Sequence, residues 1–467
     1  MTEIIHVLNN FMSTYLLIPI LLFTGIFYTY KTGFIQFRKI GEMFRLLTEG
    51  STHKTGGVTS FQAFTISLGS RVGTGNLAGV ALAIVAGGPG AVFWMWLIAL
   101  IGSASAFAES TLAQVYKVCD TGGTFKGGPA YYMQYALKSR TMGIWFAILI
   151  TLCYGLVFNS VQSDTISSAF HSSFSVNQLL MGVVLVILTA LIIFGGVRRI
   201  AKFTNAVVPV MAISYILVVL YIIVTNITLV PNMILLILES AFGIREVAAG
   251  ALGAAVIQGV KRGLFSNEAG MGSAPNAAAA ADVTHPVKQG FIQALGVFTD
   301  TLVICTSTAL LLLISGEYKN EAVDGIQLTQ SSMESMVGSW GGIFIAVCIF
   351  LFAFSSIIGN YYYGESNIKF ISEKKHFLFI YRLTVLGMVI FGALVASKVV
   401  WGLADIFMIA MAMLNLYAIL RLSPILSRVL KDYTRQKKEG MDPHFTAKSI
   451  GVENEAQCWK QSPTEKK

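Results

Sequence analysis

Residues 67–76 read SLGSRVGTGN, and residues 261–272 read KRGLFSNEAGMG. Each stretch sets three glycines among hydroxyl, amide and charged side chains, inside a long apolar run. A glycine costs a helix interior about 1 kcal/mol relative to alanine. In lipid, unpaired backbone groups cost several kcal/mol each, so an interrupted helix survives only where it lines a cavity or lies buried in protein. There the freed N–H groups and the positive end of a half-helix dipole suit an anion, while freed carbonyls suit a cation. A small-residue packing motif accounts for the glycines. It does not account for Arg71, a charge that needs a partner or water at such depth.

The elements that hold these stretches follow from composition. The chain has 467 residues, 55% of them hydrophobic and 12% charged, against about 25% charged in an ordinary soluble domain. Apolar runs long enough to cross a bilayer recur, and the ten-residue alternation of an outer-membrane barrel is missing. The reading is an all-α polytopic membrane protein with candidate spans at 12–30, 60–82, 91–116, 142–162, 178–196, 206–225, 246–281, 290–315, 339–363, 377–397 and 401–422. The seventh is too long for one plain crossing. The start, MTEIIHVLNN, lacks the basic residues of a secretory signal, so the first run is read as a retained helix.

The net charge of +9 sits in loops beside apolar spans, which argues for membrane orientation and against nucleic acid. All but six of the 33 Lys and Arg (the exceptions are Arg71, Arg245, Lys261, Arg262, Lys319 and Lys398) fall in 31–54, 117–140, 198–202, 282–289, 364–382 and 421–467. That asymmetry places the N-terminus outside and the C-terminus in the cytoplasm of a cell membrane. Residues 40–47 are read as an interfacial amphipathic stretch, the acidic loop 316–338 as a solvated face, and 431–467 as a partly disordered tail. The five cysteines lack CxxC or disulfide-like spacing and are read as packing residues.

The glycine-broken segments begin two runs of five spans, so consecutive halves have opposite orientation. Paired interruptions of this kind mark the binding site of a secondary transporter. The organisation is then 1–30, an extra helix; 31–59, an interfacial segment; 60–225, the first inverted repeat; 226–245, an outer connection; 246–425, the second repeat; and 426–467, the tail. A channel would need a filter built by symmetry or rings of charge. An intramembrane enzyme would need a constellation such as HExxH. Neither is present in the spans, and none of the six His lies centrally enough for a proton relay.

The motifs GTGNLAGVALAIVAGGPGAVFWMW (73–96), FKGGPAYYM (125–133) and KRGLFSNEAGMGSAPNAAAAA (261–281), with HPVKQG (285–290), resemble the alanine or glycine:cation symporter family over about residues 12–425. The resemblance implies a leucine-transporter-like fold of about eleven transmembrane helices, a five-plus-five inverted repeat with one extra N-terminal helix. It implies no catalysis, Na+ as coupling ion, and a small neutral amino acid as substrate, with membrane lipid as surroundings and no obligate protein partner. It maps the substrate carboxylate onto the N–H groups of Thr74 and Gly75, where a missing Cβ admits the ligand. It maps sodium onto the carbonyls of Gly69 and Val72 and the hydroxyls of Ser355 and Ser356, although adjacent hydroxyls also back-bond to their own helix. Gln162 reaches the substrate and Phe265 closes over it, with Ser266, Asn267 and Gly270 as further candidates from that break. Arg71 stands where some relatives hold a second cation, which speaks against one here. Its expected partner is Glu268, with Glu109 or a backbone carbonyl as alternatives. Many members carry Trp before YYYGE, where this chain has Asn360. A smaller, hydrogen-bonding residue there points to a larger polar substrate such as glutamine. Proton coupling is the nearest rival to sodium coupling.

Overall fold

The computed structural model describes residues 8–49, 58–120, 124–244, 249–320, 323, 325–395 and 397–459. His6, His53, Lys54, Arg245 and the last eight residues lie outside them. Long helices dominate. The first, α1 (Leu8–Lys31), leads to the short α2 (Ile40–Leu47), whose Met43 and Leu46 are buried while Phe44 is exposed.

The first repeat opens with α3 (Ser60–Arg71) and α4 (Gly75–Gly87), which meet at a 50° bend. Thr59 starts α3 through a capping box with Gln62, which satisfies two N–H groups that a helix start leaves bare. Then come α5 (Ala91–Val115), a small hairpin of β1 (Val118–Cys119) and β2 (Phe125–Lys126), and α6 (Pro129–Tyr135). The half closes with α7 (Arg140–Phe174), α8 (Gln178–Ile193) and α9 (Gly196–Thr225). A connecting helix, α10 (Val230–Ala241), occupies the expected outer connection. It packs against the start of α5, so a Cβ on Gly90 would collide with the backbone of Ala241 at 2.5 Å.

The second repeat opens with α11 (Ala249–Asn267) and α12 (Ala274–Ala280), separated by unwound chain in which Glu268, Gly270 and Gly272 take positive φ. It continues through α13 (Pro286–Ser315), α14 (Gly325–Val337), α15 (Trp340–Ile371), α16 (Lys375–Leu394) and α17 (Ser397–Arg421), and ends in α18 (Ser423–Lys438). Among the described residues, eight helices are long and apolar enough to span a membrane, and the bent α3–α4 pair makes nine. Eleven requires counting the shorter α8 and the α11–α12 pair as crossings. Exposed Leu179, Leu191, Ile380 and Leu383 on α8 and α16 present a lipid-facing surface, whereas α5 and α15 are the buried posts.

Two expectations are corrected. The acidic segment 316–338 is not simply a solvated loop: α14 lies within it and is largely buried, with Thr329 donating to the Leu77 carbonyl of α4 at 3.2 Å. The tail is not disordered through residue 459. Apolar side chains scattered among its charges (Val429, Tyr433, Phe445, Ile450, Val452, Trp459) are buried. Phe445 N–H donates to Thr284 O at 2.9 Å, and Trp459 Nε1 donates to Gln114 O at 2.9 Å. Burial of these side chains offsets the ordering entropy that polar composition alone suggests is prohibitive.

Candidate substrate and ion site

The first break is held open by side chains rather than by chance. Gly73 N–H donates to Asn76 Oδ1 at 2.9 Å, and the Thr74 N–H and hydroxyl both donate to Gln162 Oε1, at 2.9 and 2.7 Å. An amide oxygen from α7 thus sits where a carboxylate oxygen would accept. A Cβ on Gly73 would run into Ser356 Oγ and Gln162 Oε1. A Cβ on Gly75 would lie 3.0 Å from the Phe265 ring and 3.2 Å from Ser266 Cα. The two breaks therefore touch at Gly75, and both glycines are there for close approach.

The four expected sodium oxygens come together. Ser355 Oγ lies 3.1 Å from Gly69 O, and Ser356 Oγ lies 3.0 Å from Gly69 O and 3.4 Å from Val72 O. Both hydroxyls also reach Phe352 O of their own helix, at 2.8 and 3.1 Å, so ligation and back-bonding share one geometry. Two carbonyls and two hydroxyls are hard oxygen donors of the type an alkali ion takes.

Phe265 is buried between Phe158 and Trp401, with centroid distances of 4.6 and 4.7 Å. Beyond Trp401 lies a cavity of about 470 Å³ lined by Asp164, Lys261, Arg262 and Asp405. Lys261 pairs with Asp405 at 2.6 Å, and Arg262 lies over the Trp401 ring at 4.5 Å. Phe265 and Trp401 thus separate the breaks from this vestibule.

Other candidates are placed differently. Ser266 donates to Asp300 Oδ2 at 2.7 Å, and Asn76 Nδ2 donates to Asp300 Oδ1 at 2.7 Å, so a buried carboxylate from α13 joins the two breaks. Asn267 turns back on its own chain, accepting from Ala269 N–H at 3.0 Å. Gly270 does not face Gly75. Its N–H donates to Glu109 at 3.2 Å, its carbonyl accepts from Asn415 at 2.8 Å, and its Cα faces Leu416 and Ser105. Glu109 also accepts from Gly272 N–H at 3.0 Å and from Asn415 Nδ2 at 2.6 Å. The carboxylate of α5 thus caps the second break, which removes Gly270 from contact with the first. Asn360 accepts from Ser70 Oγ at 2.7 Å, and its Nδ2 has no partner among the described residues.

Arg71 does not pair with Glu268. Its one hydrogen bond among the described residues goes to the Gln293 carbonyl at 3.3 Å. Glu268 instead accepts from Ser273 at 2.7 Å and shares the one Ser70 hydroxyl proton with Asn360, at 2.9 Å. Arg71 Nε and Nη2 are buried with no hydrogen-bond partner among the described residues. Sequence reasoning missed Asp300, Asn415 and Trp401, marked Asn76 only as a polar residue of the first break, and read Glu109 only as a possible partner of Arg71. The available signal was that lone carboxylates inside apolar spans are rare and serve a purpose by default.

The model of the sodium:alanine symporter family matches residues 1–447. The probable sodium/glutamine symporter GlnT of Bacillus subtilis (strain 168) is 53% identical over 463 residues, covering 99% of this chain and 97% of the relative. The amino-acid carrier protein AlsT of the same organism is 52% identical, covering 99% and 98%. The sodium/alanine symporter AgcS of Methanococcus maripaludis is 36% identical, covering 93% and 98%. Among solved structures, MhsT in complex with L-phenylalanine aligns with a TM-score of 0.51 at 13% identity, covering 82% of this chain and 99% of that one. A manganese transporter of Eremococcus coleocola gives 0.54 at 13% identity, covering 89% and 87%. These likenesses give the leucine-transporter-like fold. The chain belongs to the sodium:alanine symporter family, a family of multi-pass secondary transporters and not of enzymes.

Proposed function

We propose that this protein couples inward movement of Na+ to uptake of a small neutral amino acid by alternating access between two inverted halves, 60–225 and 246–425. The observation that carries this reading is the convergence of Gly69 O, Val72 O, Ser355 Oγ and Ser356 Oγ, from two helices far apart in sequence, beside the side-chain-capped start of α4. In this reading the substrate carboxylate takes the Thr74 and Gly75 N–H groups, and Gln162, which caps Thr74 here, gives way or turns its amide to the ligand. Phe265 and Trp401 form the outer cover. The eleven-span count rests on the apolar runs, and the orientation, N-terminus outside and C-terminus in the cytoplasm, on the loop charges.

One Na+ moving down about 100 mV releases about 2.3 kcal/mol. A tenfold sodium gradient adds about 1.4 kcal/mol. Together they support a neutral-solute gradient of at most roughly several hundredfold, so one ion per substrate suffices.

For the substrate we infer glutamine beside alanine and glycine. Support comes from Asn360, buried with an unpartnered amide N–H₂, and from the relative named for glutamine. Uptake of labelled glutamine and alanine into proteoliposomes, with Na+ replaced by choline at fixed pH, tests both points. Uptake unchanged in choline would overturn sodium coupling in favour of protons. Alanine competing where glutamine does not would overturn the substrate inference.

A further inference from the structure

Another cavity lies on the basic face, and none of its lining residues belongs to the breaks. It has a volume of about 1010 Å³ and opens between the end of α1, the α1–α2 connection, α2 and α18. Seven Lys and Arg line it, against two carboxylates, Glu42 and Glu439. Much of that charge is committed: Glu42 takes Arg45 at 2.8 Å and Lys437 at 3.2 Å, while Arg435 pairs with Asp432 at 2.7 Å. Lys39, Lys431 and Lys438 make no ion pair among the described residues, nor does Lys31, which lies over the Phe27 ring at 5.1 Å, so the lining carries more positive than negative charge. Its floor is apolar, with Ile35, Phe291 and Leu430. Phe34, Phe37, Ile40 and Phe44, next to the lining residues in sequence, are exposed.

An excess of positive charge on one face needs only the orientation rule to explain it. That rule does not gather three unpaired lysines in a cavity, nor set an exposed aromatic fringe beside it. We propose that this cavity binds the phosphate of an anionic phospholipid, with the headgroup among Lys39, Lys431 and Lys438 and the acyl chains along the exposed Phe34–Phe44 fringe. Basic clusters beside a membrane-spanning helix, and basic pockets at its end, recognise anionic headgroups through the same charge complementarity. The aromatic side chains sit where the hydrocarbon boundary favours them. A lipid held there bridges α2 to α18, two elements otherwise joined by Glu42 to Tyr433 at 2.6 Å and to Lys437. The proposal does not depend on which amino acid or ion is carried.

The test uses the full chain in neutral detergent. Binding of dioleoyl phosphatidylglycerol is measured by native mass spectrometry and thermal shift, against phosphatidylcholine with the same chains and against inorganic phosphate. Phosphatidylglycerol is expected to bind and raise Tm, and the other two are not. Each lysine beside an anionic headgroup strengthens binding about fivefold, so Lys39→Gln, Lys431→Gln and Lys438→Gln together weaken it on the order of a hundredfold. Lys431→Gln alone weakens it about fivefold, which keeps the test open if the triple variant folds poorly. Lys374→Gln, Lys375→Gln and Lys448→Gln remove the same charge from exposed sites outside the cavity and should leave binding intact. An equal loss in that control would overturn the proposal, as would phosphatidylcholine binding equally well. Inorganic phosphate matching the lipid would show an anion site without lipid specificity, and overturn the lipid assignment.

Discussion

Removal of one hydroxyl, Ser356→Ala, separates the two roles that the geometry superimposes. Ser356 Oγ lies 3.1 Å from Phe352 O in its own helix, and 3.0 and 3.4 Å from Gly69 O and Val72 O across the break. If it only back-bonds, its loss is close to neutral, since such bonds slightly destabilise and bend a helix. If it ligates sodium, its loss removes a contact to a charged group, worth about 1.5–3 kcal/mol. That corresponds to about a 10- to 150-fold rise in the Na+ concentration for half-maximal uptake. The assay is a sodium titration of labelled amino-acid uptake in proteoliposomes at fixed pH and saturating substrate. Ser307→Ala is the control, because Ser307 is half-buried outside the breaks and its Oγ reaches only Val303 O, at 2.8 Å. An unchanged sodium dependence in a stable, reconstituted Ser356→Ala protein would refute the ion-site assignment. Steric collapse is a poor alternative explanation, because the region is already so tight that Gly73 cannot carry a methyl group without displacing Ser356 and Gln162.

Asn360→Trp is expected to lower competition by glutamine about 10- to 200-fold, the scale on which pockets discriminate by size, while alanine still competes; equal competition before and after would end the specificity argument. Glu109→Gln turns an amide N–H₂ toward one of the Gly270 and Gly272 N–H groups that Glu109 now accepts from, and should cost about 1–3 kcal/mol, read as a lower Tm in detergent. His285 is held below its ordinary value of 6.5 by burial, and its Nδ1 accepts from Val287 N–H at 3.2 Å. Its charged neighbours are Asp432, Lys288 and His444. Because the docked histidine resists a proton that the undocked one takes, tail docking is at full strength above pH 6.5 and weakens as pH falls below it. Faster proteolysis of the tail at pH 5.5 than at 7.5 is the expected readout, and equal rates would contradict it. Cys119 and Cys458, read from sequence as packing residues, instead meet on the aqueous side with sulfurs 2.8 Å apart, so mild oxidation should join them in one cross-linked peptide pair; failure to do so would count against the docked tail.

The sequence by itself determined the lipid-facing architecture and the two breaks. The reason is that the penalty for bare backbone in lipid is local, and glycines among polar residues in an apolar run announce it wherever they occur. Gly69, Val72, Ser355 and Ser356 were singled out by the family resemblance, and the structure brings their oxygens together. Only the tertiary structure decided what each polar side chain meets. Glu109 and Glu268 are both buried carboxylates that the sequence offered to Arg71, yet one caps Gly270 and Gly272 while the other binds two serines. No spacing rule distinguishes them, because Glu109 on α5 meets the second break and Asn415 of α17, while Glu268 meets Ser70 of α3, all far apart in the chain. The docking of the tail escaped for the same reason. Its apolar residues are too sparse for a periodic pattern, and their burial depends on a surface made by α5, the β1–β2 hairpin and the start of α13.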